Sequence, residues 1–234
     1  MKSESRICFR SLTITVAISI LFTDCKKDDD IAPILFNTSI FYGSTTDQNG
    51  NTYKTVTIGT QVWMAENLRT TNYRNGDPIP NVTDATSWDN LKTGAYCYYD
   101  NNNKYINVYG FLYNWYAVTD SRNLAPAGWH VPTTDEWEVL SNFLGGASYW
   151  WMEKKLREAG GNHWIYSIDA TNESGFTALP GGMRIRWTAT SGLPIKQSSR
   201  YLFLGEGYYL WIQTSSGSFD ITPNSGKSIR CVKD

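Results

Sequence analysis

The apolar stretch Leu12–Phe22 is the feature that most constrains how this chain can fold, because it marks the part of the sequence that directs export rather than folding. It is shorter than the roughly 20 residues that a membrane-crossing helix needs, and its length is typical of the apolar core of a signal peptide. Lys2, Arg6 and Arg10 supply the basic start of such a signal, and Cys25 follows shortly after the apolar core. The sequence therefore predicts that the chain leaves the cytoplasm and folds outside it.

A cysteine at this place, followed by a charged tract, is typical of a lipid-anchored protein. We expect a lipoprotein signal peptide over residues 1–24, lipid attachment at Cys25, and a tether over residues 25–40. Asp24 stands where such signals usually carry a small residue, so an ordinary secretory signal cut elsewhere is the alternative. The tract 26–30 resembles the surface-export signals of bacterial lipoproteins. The predicted location is the outer membrane at the cell surface, with the lipid as the membrane contact.

Composition limits the partners that the folded part can have. The formal net charge is −1, which offers no basic surface for nucleic acid. Aromatic residues make up 15% of the chain, with Trp 10 and Tyr 15, and there are 19 glycines. Such a chain favours short strands, many turns and an aromatic core. We expect one domain over residues 41–234 that needs no cofactor, with a glycan or a cell-surface protein as its partner.

Turn residues predict two successive hairpins at the start of this domain. Asn49 and Gly50 form the strongest short hairpin signal, and Gly59 lies between two strand-like segments. The tract Asp47–Asn51 also places oxygen atoms at alternate positions, as calcium loops do. It lacks the terminal Glu of a calcium loop, so we interpret it as a turn and predict no metal site.

Helix signals cluster in the middle of the chain. Thr133 as N-cap and Glu136 three positions later form a capping box, and Trp137, Leu140 and Leu144 then lie on one apolar face. A second, weaker helix is predicted over residues 147–159. The run 109–118 fits a buried strand or a short helix, and we expect a helix. Strands are expected at 95–99, 183–188, 201–204, 208–213, 218–222 and 228–232.

Helices in the middle and strands at both ends indicate an α+β fold. Cys8 is removed with the signal and Cys25 is taken by lipid, which leaves Cys97 and Cys231 as the natural disulfide pair. In an oxidising compartment, chain-entropy models give such a bond a stabilisation of about 4 kcal/mol. Two buried free thiols are the alternative.

Several separate blocks resemble, in order, the Fibrobacter succinogenes major paralogous domain. The resemblance covers about residues 45–234 and implies an export address and a fold more than a chemistry. Between Trp187 and Ser216 the chain departs from the family pattern. The blocks are Gln61–Leu68, Tyr113–Val118, Pro126–Pro132, Ala170–Phe176, Ala178–Gly182 and Ser228–Asp234.

A more distant likeness concerns the segments Trp129–Glu138 and Ile229–Val232. They resemble the corresponding helix and C-terminal end of formylglycine-generating-enzyme-like domains, which have a C-type-lectin-like fold. This likeness implies a mixed sheet with two flanking helices, long loops and a C-terminal strand beside the N-terminal one.

No catalytic set of residues can be identified in the sequence. The formylglycine-generating class needs a pair of reactive cysteines, and the two available are already assigned to a bridge. His130 precedes a helix cap, where a structural imidazole is the better interpretation, and His163 lies in a turn and is expected to be exposed. Cys97 with His130 as a nucleophile pair lacks an identifiable oxyanion partner.

The aromatic surplus is the remaining functional lead. Trp63, Trp115, Trp129 and Trp137 lie in the family blocks and are predicted to be core residues. Flat aromatic rings beside polar groups suit a sugar-binding surface, although an aromatic core without a ligand is an equal alternative. The predicted function is a non-catalytic binding or adhesion module, with a lipid-anchored enzyme of formylglycine-generating-enzyme-like ancestry or a structural envelope protein as alternatives. The predicted ligand-binding residues lie in the divergent region and are Trp187, Tyr208 and Trp211.

Overall fold

Short strands and helices alternate along the computed structural model, which describes residues 31–146, 149–164, 169–184, 201–203, 209–211 and 223–234. Their order confirms the expected α+β class. None of the helices in these ranges is long and apolar enough to cross a bilayer. The strands are β1 (Gly43–Thr46), β2 (Thr52–Ile58), β3 (Gln61–Met64), β4 (Tyr96–Cys97), β5 (Leu112–Tyr113), β6 (Trp129–His130), β7 (Met183–Arg184), β8 (Tyr201–Phe203), β9 (Tyr209–Trp211), β10 (Gly226–Lys227) and β11 (Val232–Lys233). The helices are α1 (Ala85–Asp89), α2 (Ile106–Tyr109), α3 (Trp115–Val118), α4 (Thr134–Phe143) and α5 (Tyr149–Leu156).

The first three strands form the antiparallel meander that the two turn signals predict. The Asp47 carboxylate accepts hydrogen bonds from the backbone N–H groups of Asn49 and Asn51, both at 2.9 Å. The Tyr53 hydroxyl donates to the same carboxylate at 2.6 Å. Gly50 adopts φ +81°, a left-handed conformation that costs glycine little. The tract is therefore the hairpin turn expected from the sequence.

β11 lies inside the first sheet, whose order is β1-β2-β3-β11-β6. Val232 pairs with Trp63 on one side and with His130 on the other. The C-terminal strand thus returns beside the N-terminal meander, as expected. The strand ladders of the described residues are all antiparallel. The expected mixed sheet is therefore not seen there. Parallel pairing in these ranges is limited to the single bridges Asn81–Tyr96 and Arg157–Ala178.

The second sheet has the order β4-β5-β10-β7, and its strand β5 interrupts the run 109–118, for which a single helix was predicted and which is helical only at its two ends. Gly110 interrupts the run at φ +67°, and a side chain there would approach the carbonyl oxygen of Leu68 to 2.7 Å. The next residues form β5, which lies between β4 and β10. Asn114 then caps α3 by accepting a hydrogen bond from Ala117 N at 3.0 Å. Contacts outside the run therefore divide it into a helix end, a strand and a second helix.

α4 begins with the predicted capping box. Thr133 N donates to Glu136 Oε2 at 2.8 Å, and Glu136 N donates to Thr133 Oγ1 at 3.3 Å. The apolar face of the helix packs on the first sheet, where the rings of Trp137 and Trp63 meet edge to face at 6.1 Å. Leu140 is fully buried in the same contact. The helix predicted from local signals is therefore confirmed.

Two apolar clusters cover the two faces of the first sheet, because successive strand residues point to opposite faces. One cluster joins the sheet to α4 and α5, and the other joins it to the second sheet. The first includes Val56, Ile58, Trp63, Leu140, Met152, Leu156 and Phe176. The second includes Tyr53, Met64, Tyr96, Phe111, Tyr113, Leu124 and Cys231.

The predicted disulfide is not seen in the structure, where Cys97 and Cys231 are both free thiols. Cys97 packs in a small cluster with Trp88, Ala95 and Leu112, whereas Cys231 lies in the cluster between the two sheets. Each thiol is therefore surrounded by its own set of apolar side chains. Burial raises the pKa of the Cys97 thiol to about 11 and also raises the pKa of Cys231. Both cysteines act here as small buried apolar residues.

Candidate functional site

The predicted ligand-binding residues belong to one long connection between β7 and β10. These two strands are antiparallel neighbours, and Gly226 pairs with Arg184, so the connection leaves and re-enters the second sheet at the same end. Trp211 lies on β9, where it pairs with Tyr201 of β8. Trp187 and Tyr208 lie outside the described residues.

The described residues at this end form what we call the connection root: Trp88, Arg184, Asn224 and Gly226. The buried Arg184 guanidinium donates to the carbonyl oxygens of Val82 and Thr83, both at 3.0 Å. Its Cζ lies 4.6 Å from the centre of the Trp88 ring, a cation–π contact. The end of β7 is thus fixed to the loop before α1.

The other side of the connection root is held by the same tryptophan. Trp88 Nε1 donates to the Asn224 carbonyl, and Asn224 Nδ2 donates to the Asp89 carbonyl at 2.6 Å. Gly226 allows this close packing, because a Cβ there would lie 3.0 Å from the Trp88 ring. Both ends of the connection are therefore anchored to α1.

Trp115 lies beside the point where the connection returns. Its backbone N–H donates to the Pro223 carbonyl at 3.0 Å, and its side chain is 37% exposed. The prediction of a core residue is therefore wrong for Trp115, whereas Trp63 and Trp129 are buried as predicted. Trp115 is the first residue of α3 and directly follows the cap residue Asn114. An exposed indole at this place is available for ligand contact.

His130 lies between two carboxylates at the edge of the first sheet. Its Nδ1 is 2.7 Å from Asp234 Oδ1, and its Nε2 is 2.7 Å from Glu136 Oε1. Burial alone lowers the pKa of His130, but the hydrogen bonds to the two carboxylates outweigh it, so the pKa is raised. Burial alone would raise the pKa of Glu136, but the hydrogen bonds from Thr133 and from His130 outweigh it and lower the pKa. The imidazole thus has two partners, as a structural histidine requires, and joins β6, α4 and the chain end.

His163 is only 1% exposed, so the prediction of an exposed turn residue is wrong. Its Nδ1 lies 2.5 Å from Glu158 Oε2, and its Nε2 lies 2.9 Å from the Ala32 carbonyl. The other carboxylate oxygen of Glu158 accepts from Leu35 N at 2.6 Å. Residues before the first strand therefore cover this histidine, and no local signal around Gly160–Asn162 indicates them.

Sequence reasoning missed the polar centre of the domain, which is Arg230. This side chain is fully buried and donates from Nε to Asn67 Oδ1 at 2.9 Å and from Nη2 to the Thr177 carbonyl at 2.8 Å. It also donates to the Phe176 carbonyl, and burial lowers its pKa to about 9. Asn67 in turn donates to the Tyr109 carbonyl at 3.0 Å. Asn67, Phe176 and Arg230 belong to three different resemblance blocks. The presence of Arg230 in one of these blocks is the sequence signal that could have identified it.

Arg230 also holds a strained backbone. Thr177 adopts φ +55°, an unusual conformation for a β-branched residue. Its N–H donates to Asn172 Oδ1 at 2.9 Å, and its carbonyl is the acceptor for Arg230. The strain serves to direct a carbonyl towards the guanidinium, so these residues form a structural framework. In the described ranges, no group of three or more His, Cys, Asp or Glu side chains is arranged to hold a metal ion.

Comparison with known families gives one match. The model of the Fibrobacter succinogenes major domain matches residues 56–233, which includes both sheets except β1 and part of β2. Comparison with curated proteins and with solved structures gives no match.

Proposed function

Because this chain belongs to the Fibrobacter succinogenes major domain family, we propose that it is an exported lipoprotein whose domain is a non-catalytic binding or adhesion module at the cell surface. The export signal and Cys25 support the location. A C-type-lectin-like arrangement is part of the same proposal, and it is supported by the return of β11 beside the N-terminal meander. The ligand that we propose is a glycan.

The observation that carries the proposal is the long connection between β7 and β10. Long connections on a rigid scaffold are where binding residues are found most often. Both ends of this one are held by the connection root, through Arg184 and Trp88. The region where the chain departs from its family lies in this connection, together with Trp187, Tyr208 and Trp211.

A glycan fits the side chains available there. Ring faces cover the apolar C–H side of a pyranose, while amides and hydroxyls reach its hydroxyl groups. Trp115 adds an exposed indole beside the returning strand. A protein partner on the cell surface would use the same aromatic residues as anchors.

The non-catalytic part of the proposal is supported by the state of the reactive side chains. Both ring nitrogens of His130 face carboxylates, so neither is free to accept a proton from a substrate. His163 is buried against Glu158. Burial also keeps Cys97 and Cys231 protonated, whereas nucleophilic cysteines need a thiolate.

A glycan array with the mature chain carrying Cys25→Ser tests the proposal. We expect one glycan class to bind, and Trp187→Ala with Trp211→Ala to weaken binding about 30-fold, because truncating anchor residues costs about 2 kcal/mol. Trp151→Ala is the matched control, since this indole is 61% exposed and lies on α5. The absence of any bound glycan would overturn the glycan proposal.

A further inference from the structure

The segment Ile31–Ile40, which we call the docked segment, is bound to the domain by polar contacts along its length. The Ala32 carbonyl accepts from His163 Nε2 at 2.9 Å, and Leu35 N donates to Glu158 Oε1 at 2.6 Å. Asn37 Nδ2 donates to the Asn172 carbonyl at 3.0 Å. Glu158, His163 and Asn172 are all buried. Releasing the docked segment would leave buried polar groups without partners.

Apolar contacts hold the same segment. Ile31 and Ile34 pack against the cluster formed by Tyr99, Tyr109 and Leu179. Farther along, Phe36 and Ile40 pack against the cluster between the first sheet and the long helices. The packed body therefore extends back at least to Ile31, and the tether predicted over residues 25–40 includes a packed part.

Little chain is left between the lipid and this body. Residues 26–30 alone separate Cys25 from Ile31, and a fully extended chain of this length spans about 20 Å. A lipid on Cys25 therefore confines the body to the neighbourhood of the headgroups.

We propose that the domain lies directly on the bilayer, with the end that carries Ile31 against the lipid headgroups. This proposal depends on the lipid anchor at Cys25 of the proposed function and goes beyond it, because it fixes which end of the domain faces the membrane. The occupant of this surface is the bilayer itself. The binding surface of the long connection then has to work close to the membrane.

The side chains around Ile31 suit a headgroup layer. Tyr105 and Val108 are half-buried and belong to the same cluster as Ile31. Lys104 is exposed, and its Nζ lies 5.0 Å from the centre of the Tyr105 ring. Tyr and Lys are favoured at the membrane interface, because each has an apolar part and a polar end.

Fluorescence quenching on vesicles tests the orientation. The full lipidated chain is prepared with Asn103→Cys beside the proposed surface or with Thr60→Cys on the β2–β3 turn, and each new thiol carries an environment-sensitive dye. Vesicles of phosphatidylcholine contain a fraction with a nitroxide on the headgroup. We expect at least threefold stronger quenching at position 103 than at position 60.

A linker variant separates tethering from contact. Insertion of about twenty Gly and Ser residues between Asp30 and Ile31 lengthens the reach several-fold and leaves the packed residues unchanged. Quenching at position 103 is expected to fall to the level at position 60. Circular dichroism confirms that each labelled variant is folded.

The outcomes separate the two proposals. Lipidated protein with equal quenching at both positions would overturn the orientation while the anchor stands. A mass spectrum without lipid on Cys25 would overturn the anchor itself.

Discussion

Asn67→Ala is expected to destabilise the domain strongly, because Asn67 joins the buried guanidinium of Arg230 to the last residue of α2. Its Oδ1 accepts from Arg230 Nε at 2.9 Å, and its Nδ2 donates to the Tyr109 carbonyl at 3.0 Å. Asn67 itself is only 3% exposed. The substitution therefore leaves a buried charged donor and a buried carbonyl without partners.

The size of the effect follows from these two groups. An unpartnered buried donor on a charged group costs about 2–3 kcal/mol, and a neutral carbonyl costs about 1 kcal/mol. With the small cavity, the free energy of unfolding is expected to fall by about 4 kcal/mol. For a domain of this size, that corresponds to a lower Tm by roughly 10 °C.

Urea unfolding followed by circular dichroism measures the change. The matched control is Asn107→Ala, an exposed asparagine on α2, which is expected to change the free energy of unfolding by about 0.5 kcal/mol or less. A second variant, Asn67→Asp, keeps the acceptor for Arg230 and loses only the donor to Tyr109, so its effect should be smaller than that of Asn67→Ala. A loss below about 1 kcal/mol for Asn67→Ala would refute the view that this amide holds the buried guanidinium.

Three further predictions concern pH, thiols and the backbone. The folded state raises the pKa of His130, so the stability that this histidine contributes is present in full below about pH 6.5 and is lost as the pH rises through the folded-state pKa. His130→Gln should remove this pH dependence in urea titrations between pH 6 and 9. An unchanged pH profile in the variant would contradict the prediction. Cys97 and Cys231 should not react with a thiol-specific dye in the folded protein and should both react in denaturant without reductant, whereas a need for reductant would restore the disulfide. Gly110→Ala should lower the free energy of unfolding by at least about 2 kcal/mol, because a positive φ and a close carbonyl both oppose a side chain. The control is Gly76→Ala, at a glycine with a positive φ in open space, which should cost only about 1 kcal/mol. Equal losses in the two variants would contradict the argument from the close carbonyl.

Local signals predicted those parts of the fold that local contacts determine. The turn at Asp47–Asn51 closes on the carboxylate of its own first residue. The capping box of Thr133 and Glu136 is likewise complete within one helical turn. Each of these devices satisfies its hydrogen bonds within a few residues, so the sequence pattern is sufficient to identify it.

The errors concern residues whose partners are distant in the chain. His163 is buried because Ala32 and Leu35 lie over the Glu158–His163 pair, and nothing near position 163 indicates this. Trp115 is exposed at the start of α3, where its backbone N–H donates to the Pro223 carbonyl and Asn114 caps the helix. The disulfide was expected by elimination, because Cys97 and Cys231 were the two cysteines left. That reasoning could not take into account the apolar side chains that surround each thiol. Sequence patterns alone do not specify which distant segments meet.

The resemblance blocks and the divergent region have different places in the fold. Asn67, Phe176 and Arg230 come from three separate blocks and meet at one buried guanidinium, which fixes the framework. The divergent region between Trp187 and Ser216 lies in the connection whose ends are held by Arg184 and Trp88. A buried polar centre with one anchored long connection is the arrangement that we propose for ligand contact on a loop of a rigid scaffold. Residues 187–216 can be exchanged between two members of the family to test this arrangement. The exchange should transfer ligand preference and change the free energy of unfolding by no more than about 1 kcal/mol. A loss of folding on exchange would show that the connection belongs to the framework.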